Sequence, residues 1–174
     1  MVNSTTSLPR WDLTTIYPGL SSPEFQQARD SVAADVADLV AFFDAHQIGR
    51  MPSGPLDDET VGVFESVTAR FNAAEQASWQ LQDFVSAFVD TDAWDELARA
   101  AASRLRPVVA RVAQLRRRLL AWIGSLDVEA LIVRSAVARD HAYLLRQARH
   151  QATHTMSMSE ETLAAELHVS GGAA

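Results

Sequence analysis

Between Phe64 and Phe88 the apolar residues recur in alternating steps of 3 and 4: Phe64, Val67, Phe71, Ala74, Ser78, Leu81, Val85 and Phe88, with only the small polar Ser78 out of character. A helix turning once every 3.6 residues gathers such positions into one seam of heptad type, and a seam of that kind has to be covered. Roughly 30 residues of helix extend about 45 Å at 1.5 Å per residue, so the cover must be of comparable length. The next segment supplies it through Trp94, Leu97, Ala101, Leu105, Val108, Val112, Leu115, Leu119 and Trp122. The link near Asp90-Thr91-Asp92 is short, which makes the two helices fold back antiparallel. No stretch alternates apolar and polar residues for long enough to read as a strand. The expectation is an all-α fold: long antiparallel helices in a helical bundle with coiled-coil-like packing, preceded by an extended N-terminal arm.

Local signals divide the rest of the chain. Residues 1–22 contain Leu8-Pro9-Arg10-Trp11-Asp12-Leu13 and Ile16-Tyr17-Pro18-Gly19-Leu20. They read as an arm with turns that buries Trp11, Leu13, Ile16 and Tyr17 against the helices. Ser21-Ser22-Pro23-Glu24 opens a first helix lined by Phe25, Val32, Val36, Leu39 and Phe43. That helix stops before Gly49, and Met51-Pro52-Ser53-Gly54-Pro55 is a loop. Asp57 starts the second helix, with Leu56 and Val61 placed as a hydrophobic staple. Asp92 is the expected cap of the third, with Asp95 and Glu96 complementing its dipole. Pro107 removes one backbone bond inside that helix and is expected to kink it. Gly124-Ser125 reads as a corner where Gly124 takes a positive φ, and Asp127 caps the next helix. That fourth helix carries Leu131, Val137, His141, Leu144 and Ala148, with a break at Ser135. A short last helix near Ser157 or Ser159 carries Leu163 and Leu167. The expected organisation is an arm over 1–22, one helical domain over 23–169 and a disordered tail over 170–174.

Composition narrows the function classes. Cysteine is absent, which excludes disulfides and thiolate metal ligands. No apolar run reaches the ~18 residues of a membrane span, and the start does not read as a secretory signal. A cytoplasmic protein is the expectation. All 15 basic residues are arginine, and they are unevenly spread: residues 1–90 carry 4 Arg against 13 acids, and residues 91–174 carry 11 Arg against 9 acids. A net charge of −7 argues against nucleic-acid or membrane partners and fits a basic helix beside acidic ones.

No complete chemical site emerges. His150 and His154 stand four apart and could share one zinc ion on a helix face. The zinc-protease pattern places a glutamate after the first histidine as general base; here that residue is Gln151, which accepts no proton at neutral pH. Third ligands would have to come from Glu160, Glu161, Glu166 or His168, and two solvated surface histidines are the expected reading. Arg116-Arg117-Arg118, with Arg104, Arg106 and Arg111 upstream, suits phosphate or a peptide carboxylate. Those arginines interleave with the apolar stripe, as the solvated exterior of a helix does. His141 lies on an apolar stripe and reads as a hydrogen-bonded core residue. Trp11, Trp79, Trp94 and Trp122 read as core or interface anchors. Neither a phosphate-binding glycine loop nor a G-x-S-x-G elbow occurs.

Three stretches resemble the N-terminal part of oligoendopeptidase F-type enzymes, in the zinc-dependent oligopeptidase family that includes thimet oligopeptidase. They are Leu8 to Leu20 continuing into Ser22-Pro23-Glu24-Phe25; Ala121-Trp122-Ile123-Gly124-Ser125-Leu126 through Arg139-Asp140-His141-Ala142-Tyr143-Leu144-Leu145-Arg146; and Leu163-Ala164-Ala165-Glu166-Leu167 to Ser170-Gly171-Gly172. The resemblance implies a helical region forming one wall of a deep channel. In that family zinc sits in a later catalytic domain with an H-E-x-x-H helix and a downstream glutamate. None of those residues falls on a position of this chain, so no catalytic, cofactor-binding or metal residue is assigned and no peptidase activity is expected of it alone. The implied partners are the catalytic domain of a parent peptidase and, in the intact enzyme, oligopeptides. The alternative is a free-standing helical interaction module that self-associates through its heptad faces, which includes a possible homodimer.

Overall fold

The computed structural model describes residues 12–49 and 56–152. Among the described residues its fold is all-α, with six helices and no strand. In chain order they are α1 (Pro23–Ala45), α2 (Asp58–Thr91), α3 (Glu96–Ser125), α4 (Val128–Arg134), α5 (Ala136–Asp140) and α6 (Ala142–Ala152). The short last helix and the tail expected after residue 152, and Trp11 of the arm, lie outside the described residues. The chain divides into two compact units, residues 1–42 with 69–114 and residues 43–68 with 115–174, so α1, α2 and α3 each contribute to both.

In the first unit the arm, α1 and α2 meet through aromatic rings. Tyr17 packs edge-on against Phe25 at 5.6 Å and Phe84 at 5.0 Å, and Phe84 meets Phe88 at 5.1 Å. Offset and edge-on rings at these separations add to the burial of their apolar area. Of the arm residues expected to be buried, Leu13 and Tyr17 are half-buried and Ile16 is exposed, whereas Leu20, which was not among them, is buried. Ser22 caps α1 by accepting the Phe25 N–H at 3.2 Å, with Pro23 as first helical residue. The α2 seam is buried at Phe71, Ala74, Ser78, Leu81 and Val85, along with Phe84. The turn into α3 differs from expectation. Asp92 accepts the Trp94 N–H at 2.9 Å, and the true cap is Asp95, which accepts from Ala98 at 3.0 Å. Trp94 therefore sits in the turn ahead of the helix, 84% exposed, and the buried stripe of α3 begins at Ala98 instead of Trp94 or Leu97. α3 runs on through Pro107.

The second unit holds the rest of the seam, Phe64 and Val67, and the buried Leu115, Leu119, Trp122, Ile123 and Leu126. Asp57 caps α2 by accepting the Thr60 N–H at 2.7 Å. Gly124 is not the end of a helix: α3 continues to Ser125, and the described positive-φ glycine is Gly49. The missing side chain of Gly124 serves a close approach, since a Cβ there would lie 2.3 Å from the Ala152 Cβ of α6. Asp127 caps α4 as expected, accepting from Ala130 at 3.1 Å. The break at Ser135 is also as expected: Ser135 ends α4, caps α5 through its hydroxyl and is fully buried. A second break follows at His141, the C-cap of α5. Each break resets the helical phase, so Leu145 rather than Leu144 is buried, and Leu144 is 58% exposed.

Candidate functional site

The end of α1 in the second unit is closed by a Schellman motif. Gln47 takes φ 52°, Ile48 N–H donates to the Phe43 carbonyl at 2.8 Å, and Gln47 N–H donates to Asp44 at 3.2 Å. Phe43 and Ile48, the pair that such a motif brings together, are both fully buried. Arg118 clasps this corner: Nε donates to the Ile48 carbonyl at 3.0 Å, Nη2 pairs with Asp44 at 2.8 Å, and the guanidinium lies 5.3 Å from the Phe43 ring centre. Gly49, at φ 105°, admits the Arg118 stem, whose Cβ would stand 3.1 Å from a Cβ on that residue. Among the arginines read as a solvated helix exterior, Arg118 is instead turned onto an internal carbonyl and carboxylate. Arg104, Arg106 and Arg117 are exposed, and Arg111 donates to Gln114 at 2.9 Å.

The remaining candidates do not converge. His150 is exposed on α6, and His154 lies outside the described residues together with Glu160, Glu161, Glu166 and His168. Among the described residues no cluster of three or more His, Cys, Asp or Glu side chains is placed to hold a metal ion. His141, read as a hydrogen-bonded core residue, does have Nδ1 2.9 Å from the Val137 carbonyl but is half-buried, at the C-cap of α5. Trp122 is buried in the second unit; Trp79 and Trp94 of the first are 53% and 84% exposed.

What sequence reasoning missed is a cleft in the first unit, with a volume of about 760 Å³. Tyr17, Phe88, Leu13 and Pro18 give it apolar walls, and Asp12, Asp90, Asp92 and Asp95 give it a carboxylate rim. Segments near residue 15 and near residue 90 build it, and nothing in their spacing joins them. The rim is largely committed to backbone. Asp12 accepts from both the N–H and the hydroxyl of Thr14, at 3.0 and 2.6 Å, and those bonds hold its carboxyl below the usual range. Asp92 and Asp95 cap the turn and α3. The cleft suits a positive charge, but among the described residues its lining holds no imidazole, thiol or amine to carry a proton or attack a substrate. A second recess, about 320 Å³, lies among Asp35, Asp38, Leu39, Arg70, Ala73 and Ala74, with Arg70 drawn over the Phe42 ring at 4.6 Å.

No described helix is long and apolar enough to cross a membrane. Compared with known proteins, the chain matches no family model, no curated protein and no solved structure.

Proposed function

We propose that this chain is a non-catalytic N-terminal helical domain of an oligoendopeptidase F-like zinc metallopeptidase, forming a wall of the peptide-access channel in the intact enzyme. The resemblance of the arm and of the Ala121–Arg146 region supports this reading. The observation that carries it is the exposure of large apolar side chains within that same region: Val133 and Tyr143 are each 75% exposed and Leu144 is 58% exposed. Apolar residues left in water on short helices suit a surface that meets another domain. A wall restricts entry by shape and needs no reactive residue. Zinc and its H-E-x-x-H helix belong, in this reading, to the catalytic domain.

Two measurements test it. The DNA that follows the codon for Ala174 is expected to continue in frame and to encode H-E-x-x-H; a stop codon directly after Ala174 would sink the parent-enzyme reading. The purified chain is expected to leave a quenched oligopeptide intact with or without added zinc. Chelator-sensitive hydrolysis would show a site of its own and remove the non-catalytic assignment. Self-association through heptad faces, the other reading, would need a face other than the α2 seam, because Phe64, Val67, Phe71, Ala74, Leu81 and Val85 are already covered within one chain.

A further inference from the structure

We propose that the cleft of the first unit binds a linear polyamine, its methylene segments lying on Tyr17 and Phe88 and its ammonium groups meeting Asp12, Asp90, Asp92 and Asp95. The cleft is built within that one unit, from the segments 12–19 and 87–95. Its volume of about 760 Å³ falls in the range of small-molecule sites. Tyr17 and Phe88 both pack on Phe84, yet each is only half-buried, so apolar ring surface is left at the cleft.

Charge selects the ligand. The lining holds four aspartates and, among the described residues, no basic side chain. α2 ends at Thr91 beside them, with Asp90 in its last turn and no basic residue there. A helix C-terminus carries the negative end of the dipole, so an acid at that place is unfavourable unless a cation sits beside it. The other three carboxylates keep free acceptor capacity. The hydrogen bonds to Asp12, Asp92 and Asp95 all end on Oδ1, and a carboxylate accepts at both oxygens. Asp90 forms no ion pair among the described residues. Nor are the four grouped as a metal ion requires: among the described residues no three acidic or imidazole side chains are placed to hold one. Separate negative charges around apolar walls call for separate positive charges joined by methylenes, which describes a polyamine and not a divalent metal. The rings add a cation–π contribution where an ammonium lies over them. This inference does not depend on the peptidase reading.

The test is isothermal titration of the full chain with spermidine at about 20 mM salt. Binding at a single site is expected, weakened at least about fivefold in D12N/D90N. An asparagine at position 12 still accepts the Thr14 bonds and Asp90 is exposed, so helical circular dichroism is expected to stay unchanged. D35N/D38N removes the same charge from exposed positions outside the cleft and is expected to bind as wild type does. Trilysine, of like charge on a peptide frame, is expected to bind more weakly, and magnesium chloride at equal charge is expected to compete poorly. A wild-type chain that does not bind spermidine, or an equal loss in both double variants, would overturn the proposal. So would magnesium displacing spermidine charge for charge, or trilysine binding the more tightly, which would make the occupant a basic peptide.

Discussion

Single residues in the second unit carry strain and close contact that can be measured. Gln47 occupies the left-handed position of the Schellman motif at φ 52°, where only glycine sits without a Cβ penalty. Gln47→Gly is expected to raise stability by up to about 1 kcal/mol, since relief of that strain exceeds the added unfolded-state entropy; urea denaturation checks it. The opposite holds at Gly124. A Gly→Ala change within a helix normally stabilises, but at Gly124, in the last turn of α3, the new methyl would lie 2.3 Å from the Ala152 Cβ, which is fixed to the α6 backbone. Gly124→Ala is expected to cost about 1–3 kcal/mol as α6 is pushed away. A thermal melt at or above wild type would contradict that contact.

At the scale of elements, the helices are held by their ends. Asp57 caps α2, and the Thr60 hydrogen bonds hold its carboxyl below the ordinary range. Glu129 of α4 takes two bonds from Arg146 of α6, each 2.8 Å, which likewise lowers its carboxyl and raises the guanidinium. Arg134 ties the last turn of α4 to the Leu56 carbonyl and Asp58. A carboxyl whose folded pKa is depressed contributes stability that is complete above its unfolded value and lost as pH falls through the folded one. Stability is therefore expected to decline below about pH 4, and less steeply in Asp57→Asn or Glu129→Gln than in wild type; acid titration followed by circular dichroism measures the slope. The caps at Ser22, Asp57 and Asp127 were legible because the accepting side chain and the N–H that donates to it lie within one turn. The displaced cap at Asp95 was not, because Asp92 and Asp95 offer the same chemistry three residues apart. Leu144 was misread because a single phase was carried across His141, where the helix restarts.

For the whole molecule, the all-α class followed from one heptad seam, since a stripe that long admits few other solutions. The α1 corner clasped by Arg118 and the acidic cleft were invisible, because each joins segments tens of residues apart through contacts that no local period encodes. The charge imbalance between the two halves was legible as composition.

The unequal wetting of the indoles has an optical consequence. Trp79 and Trp94 are 53% and 84% exposed and Trp122 is enclosed, so in a Trp11→Phe variant the fluorescence of the folded chain combines red-shifted, quencher-accessible emitters in the first unit with a blue-shifted, shielded one in the second. In that variant a soluble quencher that silences the accessible pair leaves an emission that follows the loosening of the second unit.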